Sequence, residues 1–252
     1  MGFGAVNSPF DAFAWFYDRH WGTPFEEWQR PALEKLLYPC VKPGGRILDL
    51  CCGTGTLARR MADRGYQISG VDSSEGMLRL AREKIPGAEF VHADASDFTL
   101  PHPVDGAVSV FDSLNHLLTA DQLRRAFDQV YAALNPGAYF VFDTNTSAAY
   151  GERWDQSFCE VQPDHAFFMR GGFDPHTRIG RTNITMFRLT NSWQRADVEM
   201  HQRPWEVSEL ESLLQVSGFT EPRGYRAFED LGMSGPYGIG RAYLRARKPQ
   251  GY

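Results

Sequence analysis

Asp49, Gly53, Gly55, Asp72 and Asp94 are the residues of the N-terminal half best suited to hold a charged, hydroxyl-rich ligand. Gly53-Thr54-Gly55 breaks the apolar run Ile47-Leu48-Asp49-Leu50, and helical spacing resumes at Leu57, Ala58, Met61 and Ala62. That pattern reads as a buried strand, a tight turn and a helix N-terminus. Glycines there let a ligand approach the backbone, and the free N–H groups of the first helical turn favour negative charge. Read as G-x-G-x-x-G/A, with Ala58 in the last place, the turn suits a dinucleotide. A second strand, 67–71, ends in Asp72, about twenty residues beyond the glycines, where an acid can take both hydroxyls of a ribose. Charge-assisted hydrogen bonds of that kind contribute about 1.5–3 kcal/mol. Further on, Val110 to Leu117 gathers Asp112, Ser113, Asn115 and His116, a set with the groups for proton transfer.

Four motifs follow one another: Asp49-x-x-x-Gly53-x-Gly55, Val71-Asp72, Ala93-Asp94 and Leu134-x-Pro136-Gly137. In this order they resemble the motifs of the class I S-adenosylmethionine-dependent methyltransferases, over roughly residues 45 to 145. The resemblance implies S-adenosylmethionine as methyl donor and S-adenosylhomocysteine as product. It puts Asp72 on the ribose and Asp94 on the adenine amino group, with Ala95 supplying backbone contacts. Asp49 would hold the glycine turn or the donor's amino group, and Ser73, Met77 and Phe111 are grouped with the donor site. Tyr17, in the pair Tyr17-Asp18, would belong to a helix that covers the donor and would itself approach the donor or the acceptor as a catalytic residue, and His116 would reach the acceptor as its base. One departure is visible: the family often has glycine where this chain has Cys51.

These residues need elements to position them. Strands are expected at 46–51, 67–71, 88–92, 104–111 and 138–143, with helices at about 55–64, 74–84 and 120–134. Gly65 and Pro86-Gly87 stop the first two helices, and Thr119 with Gln122 makes a capping box before the third. Strict βα alternation gives right-handed crossovers and a parallel sheet, with ligands outside the carboxyl ends of its strands. The expected fold class is therefore α/β, a Rossmann-like seven-stranded, mostly parallel sheet with helices on both faces. Residues 1–45 read as an aromatic-rich helical cover and 46–145 as the donor-binding core. Over 146–203 the helical stripes vanish. Alternation at Thr182, Ile184, Met186 and Arg188, a turn at Asn191-Ser192 and a return over 193–202 predict an antiparallel insertion. It serves as a lid or as the contact surface of a homodimer. Residues 204–252 supply a helix capped by Ser208 and Glu211, then two strands near 219–228 and 239–247. Asn115, Trp154, Arg170, His201 and Arg203 are the residues expected to frame an acceptor pocket.

Composition narrows the partners. A net charge of −5 without any block of lysine or arginine argues against a nucleic-acid surface. No apolar run approaches a membrane span and the N-terminus has no signal-peptide core, so no membrane partner and a cytoplasmic location are expected. Cys40, Cys51, Cys52 and Cys159 lack CxxC spacing, and His165, His176 and His201 lack the spacing of a metal site. No metal is expected, and adjacent cysteines in a buried turn suit a reducing compartment. The expected reaction is in-line methyl transfer to nitrogen or oxygen of a small molecule. The competing readings are a non-catalytic donor-binding protein on the same fold and an NAD-dependent oxidoreductase.

Overall fold

The computed structural model describes residues 8–151 and 154–251, so the first seven residues of the expected cover lie outside it. Its centre is a seven-stranded sheet in the order β10-β11-β5-β4-β1-β2-β3. β1 (Arg46–Leu50), β2 (Gln67–Asp72), β3 (Glu89–His92), β4 (Val104–Ser109) and β5 (Leu134–Asn145) run parallel. β11 (Arg241–Arg247) pairs antiparallel with β5, and β10 (Thr220–Arg226) pairs antiparallel with β11. The order reverses between β1 and β4, and a ligand crevice opens outside the strand ends at such a switch.

The first crossovers are α3 (Thr56–Asp63), α4 (Glu75–Lys84) and α5 (Ala120–Ala133), and α6 (Val207–Val216) precedes β10. One sheet face is covered by the stripe Leu123, Phe127 and Val130 of α5 with Leu210 and Leu214 of α6. Leu57 and Met61 of α3, with Leu33 and Leu36 of an N-terminal helix, cover the other. Both faces of the sheet are therefore buried, and that is why β1 and β4 read as apolar runs rather than as alternating ones.

Two expected boundaries move. β5 starts at Leu134, directly after α5, because Leu134 already pairs with Val104; a register shift then accommodates Pro136, which has no N–H for the ladder. α6 begins two residues early. Its capping box is Glu206 with Glu209 rather than Ser208 with Glu211, and Arg178 and Arg203 draw the Glu209 carboxylate to that end.

α1 (Pro9–Tyr17), a π-helical turn over 18–22 and α2 (Thr23–Leu36) form the cover. α1 is capped by Ser8 in a capping box with Asp11. The Asp11 carboxylate also accepts from Ser74 Oγ (2.7 Å) and Gly76 N (2.9 Å), tying the cover to the start of α4. The insertion is an antiparallel meander, β6 (Ser157–Gln162), β7 (His165–Asp174), β8 (Ile179–Leu189) and β9 (Trp193–Gln202). Phe167, Ile184, Met186 and Met200 on its inner face pack against Ala12, Phe13 and Phe16 of α1. α1 thus touches both α4 and the insertion, and a space remains between them.

Candidate active site

That space is a cavity of about 640 Å³, floored by the carboxyl ends of β1, β2 and β4 and walled by α1 and the insertion. At its floor, Gly53 N–H donates to Asp72 Oδ2 (2.8 Å) and Ser74 N–H donates to Asp72 Oδ1 (2.9 Å). Asp72 therefore ties the turns after β1 and β2 together while its carboxylate borders the cavity. Burial raises its pKa, against those two N–H bonds. Gly53 has φ +54° and lies under Tyr17. Gly55 does not line the cavity. A Cβ there would stand 2.9 Å from Ala81 Cβ, so this glycine serves the close packing of α3 on α4.

Asp49 is buried beneath the floor. Its Oδ2 has no hydrogen-bond partner among the described residues, and burial, then Asp72, pushes its pKa up to about 8. A buried carboxyl left without a partner is costly unless something cationic or protic meets it. Cys51 lines the cavity with φ +60°, a left-handed backbone that explains glycine's usual place there. Ser73, Met77, Ala95 and Phe111 line it too. Asp94 stands at the rim; its Oδ1 accepts from Ser96 N (2.7 Å) and Ser96 Oγ (2.6 Å), so it caps its own turn while bordering the cavity.

The opposite end is a connected polar network. Phe111 and Asp112 both take left-handed φ, which brings the Asp112 carboxylate back over the sheet. Arg241 donates to Asp112 Oδ1 (2.7 Å) and to Asp143, and Asp143 Oδ1 accepts from Asp112 N (2.8 Å). Burial opposes the Arg241 charge, but Asp143 and Asp112 outweigh it and push its pKa up. The Gln202 amide nitrogen donates to Asp112 Oδ2 (2.6 Å) and to His116 Nε2 (3.1 Å), while Gln202 Oε1 accepts from the Tyr150 hydroxyl (3.1 Å).

His116 Nδ1 lies 2.8 Å from the His201 carbonyl, which can only accept, so the neutral ring carries its proton on Nδ1 and leaves Nε2 as a base. Burial lowers the His116 pKa against the pull of Asp112 and so favours the neutral imidazole. Tyr17 borders the same space. Burial and then Asp112, Asp72, Asp49 and Asp143 raise its pKa, so the phenol keeps its proton and acts only as a hydrogen-bond partner.

Of the residues expected around an acceptor, Trp154 lines the cavity. Four need correction as wall residues. Asn115 is buried with its groups engaged: Nδ2 donates to the carbonyls of Asn145 (2.9 Å) and Arg203 (2.7 Å), and Oδ1 accepts from Asn145 N (3.0 Å). Arg170 and His201 sit on the insertion at the wrong parity. Their neighbours Met169, Gly171, Met200 and Gln202 line the cavity, and successive strand residues face opposite sides. Arg170 opens instead to a separate depression on the outer face. Arg203 lies over Trp205, 3.9 Å from its ring centre, and binds the Leu118 carbonyl and Glu209.

Sequence reasoning missed Asp112, Gln202 and Arg241. The parity of Ile184, Met186 and Met200 carried the signal for Gln202. Arg241 had none, because its role arises only when β11 pairs with β5.

Residues 47–137 match the methyltransferase domain family. A putative methyltransferase of Bacillus subtilis (strain 168), YqeM, is 28% identical over 228 residues, 88% of this chain and 90% of that protein. The crystal structure of an S-adenosylmethionine-dependent methyltransferase from Clostridium acetobutylicum ATCC 824 superposes with a TM-score of 0.76 at 20% identity, covering 97% of this chain and all of that one. The sugar N-methyltransferase KedS8 from Streptoalloteichus sp ATCC 53650 gives 0.76 at 17% identity, over 98% and 95%. These two structures share the fold. The sheet order, the ordered motifs and the domain match over 47–137 together support a class I S-adenosylmethionine-dependent methyltransferase.

Proposed function

We propose that the protein transfers the methyl group of S-adenosylmethionine to a nitrogen or oxygen of a small molecule enclosed between α1 and the insertion, and that it works in the cytoplasm. One observation carries this reading: a single cavity joins the Gly53–Asp72 floor to the His116–Gln202 end. A net charge of −5 and a roofed cavity suit an enclosed small acceptor better than a polymer track. KedS8, similar in fold, is a sugar N-methyltransferase, and that supports the same class of acceptor.

The donor site fits a cationic, ribose-bearing ligand. Asp72 offers free lone pairs to the ribose hydroxyls, Asp94 and Ala95 stand where the adenine would lie, and the partnerless Asp49 Oδ2 is an acceptor for an ammonium group, directly or through water. When bound, the donor supplies a methyl on sulfonium, which passes to the acceptor's lone pair as the C–S bond breaks. With so good a leaving group, the protein's work is alignment and proton removal. His116 Nε2 takes the acceptor's proton once the acceptor displaces the Gln202 amide, and Tyr17 orients the reacting atoms from the cover. Burial holds the His116 pKa below that of an ordinary imidazole, so the base is lost and the rate should fall only on the acidic side of the usual imidazole range.

Calorimetry tests the donor half. S-adenosylhomocysteine should bind at low-micromolar dissociation constant or better, and NADH should not. Asp72→Asn should weaken S-adenosylhomocysteine on the order of 10–100-fold in a folded protein. Tight NADH binding without a response to S-adenosylhomocysteine would favour an oxidoreductase. Donor binding without turnover over a broad acceptor panel would favour a non-catalytic role.

A further inference from the structure

Aromatic rings and the Asp112 carboxylate border the acceptor end of the cavity, with Asp143 buried behind Arg241, and among the described residues no cation there is left over to meet an anion. Phe10, Phe13, Trp21, Trp154, Phe158 and Tyr237 contribute rings. Among the described lining residues there is no lysine, and the one arginine is Arg241. Its guanidinium faces Asp112 and Asp143, and its Nε donates to the Tyr237 carbonyl (2.9 Å). Two carboxylates therefore meet one guanidinium at this end. Arg170 and Arg181, which could grip a phosphate or carboxylate, border the depression on the other face of the insertion. The same bias reaches Tyr17, whose proton is held, after burial, by four carboxylates.

We propose that the acceptor is an organic cation, a protonated amine on an apolar body, selected by the aromatic lining and the Asp112–Arg241–Asp143 cluster. This rests on the methyltransferase reading of the cavity. The physical grounds are direct. A cation is drawn to the electron-rich faces of aromatic rings, and an anion beside partly buried carboxylates is repelled at short range in a low dielectric. Asp72 and Asp94 serve the donor end, so they do not account for the excess at the other. A cationic acceptor beside a sulfonium is itself disfavoured, and the ammonium must shed a proton before transfer. Its N–H proton passes to His116 Nε2, and the freed nitrogen lone pair forms the N–C bond. The C–S bond breaks with its electron pair left on sulfur. Selection thus acts on the charged amine and reaction on the neutral one.

Three probes of one shape separate the possibilities: benzyltrimethylammonium, its uncharged isostere neopentylbenzene, and the anion benzylsulfonate. Their binding to the intact protein is followed by tryptophan fluorescence and calorimetry, with and without S-adenosylhomocysteine. Benzyltrimethylammonium should bind at least about 10-fold more tightly than neopentylbenzene, and benzylsulfonate more weakly than either. Asp112→Asn and Trp154→Leu should each reduce the cation's advantage several-fold while leaving S-adenosylhomocysteine affinity unchanged. Asparagine tolerates the left-handed backbone at position 112, and the order of the three probes on the unaltered protein stands without either variant. Equal or tighter binding of benzylsulfonate, no advantage of cation over isostere, or no binding of any probe overturns the inference. A protein that shows the cation preference without binding S-adenosylhomocysteine keeps the inference and loses the methyltransferase reading.

Discussion

The two ends of the cavity are built by different means. At the donor end, main-chain groups do the positioning: Gly53 N–H and Ser74 N–H hold Asp72, and the carboxyl ends of β1 and β2 fix both turns. At the acceptor end, side chains hold side chains, and Arg241, Asp112, Asp143, Gln202 and His116 depend on one another across four separate stretches of chain. Main-chain donors stay in place on the loss of any one side chain other than Asp72 itself. A side-chain network concentrates its dependence in a buried charge that serves more than one partner, here the Arg241 guanidinium between Asp112 and Asp143.

The sharpest way to break that contrast is Arg241→Met. It leaves two carboxylates without their cation, Asp143 fully buried, and removal of one partner from a buried pair costs about 3–5 kcal/mol. Thermal denaturation should show a fall in Tm of about 10 °C, at 2–4 °C per kcal/mol for a chain of this size. Arg195→Met, which removes an exposed pair with Asp197, should change stability by less than about 0.5 kcal/mol. A loss for Arg241→Met no larger than that for Arg195→Met would mean that the acceptor end does not hang on this residue.

The same contrast explains what could be read from the sequence. Asp49, Gly53, Asp72 and Asp94 were legible because βα alternation by itself sends every strand end to one edge of the sheet. No knowledge of side-chain direction is needed for that. The parallel core, the two last strands and the return strand at 193–202 follow from the same local patterns. The insertion gave no such guarantee. Its placement depends on packing against α1, and the face exposed to the cavity turns on a single residue, so residue type points to His201 and Arg170 where Gln202 and Met169 face the cavity. Asn115 misled for another reason. A polar residue in a loop at a strand's carboxyl end is as useful for stitching β5 to β9 as for touching a ligand, and composition does not separate the two uses.

Parity makes a prediction of intermediate size. Gln202→Leu removes the donor to His116 Nε2 and Asp112 and the acceptor for Tyr150, so kcat/KM for the acceptor should fall about 10-fold or more. The hydrogen bond from Gln202 favours the neutral imidazole. Its loss should raise the His116 pKa and move the acidic limb of the kcat/KM profile, which reports the free enzyme, upward. His201→Leu, one residue away on the outer face, keeps the carbonyl that holds Nδ1 and should leave acceptor kinetics within about 2-fold. Equal effects of the two variants would dissolve the distinction between faces on which the acceptor wall rests.

The smallest effect belongs to the donor end and should carry the opposite sign. Cys51 holds φ +60°, a conformation that costs a residue with a Cβ about 1–2 kcal/mol and glycine almost nothing. Cys51→Gly relieves that strain, gives up the contacts of a partly buried thiol, and adds about 0.5–1 kcal/mol of freedom to the unfolded chain. The balance should be a gain of about 0.5 kcal/mol, read as a small rise in Tm. Cys52 is the control. It is buried without a left-handed φ, so Cys52→Gly loses packing with no strain to relieve, and stability should fall by about 1–2 kcal/mol. Adjacent thiols responding with opposite signs would locate strain at position 51 alone. Because the Gly53 N–H and the Asp72 carboxylate hold the turn without the Cys51 side chain, S-adenosylhomocysteine affinity in Cys51→Gly should stay within about 3-fold of the parent. A loss of stability comparable to that of Cys52→Gly would show that the thiol's packing, rather than its backbone, decides the residue at the start of the donor turn.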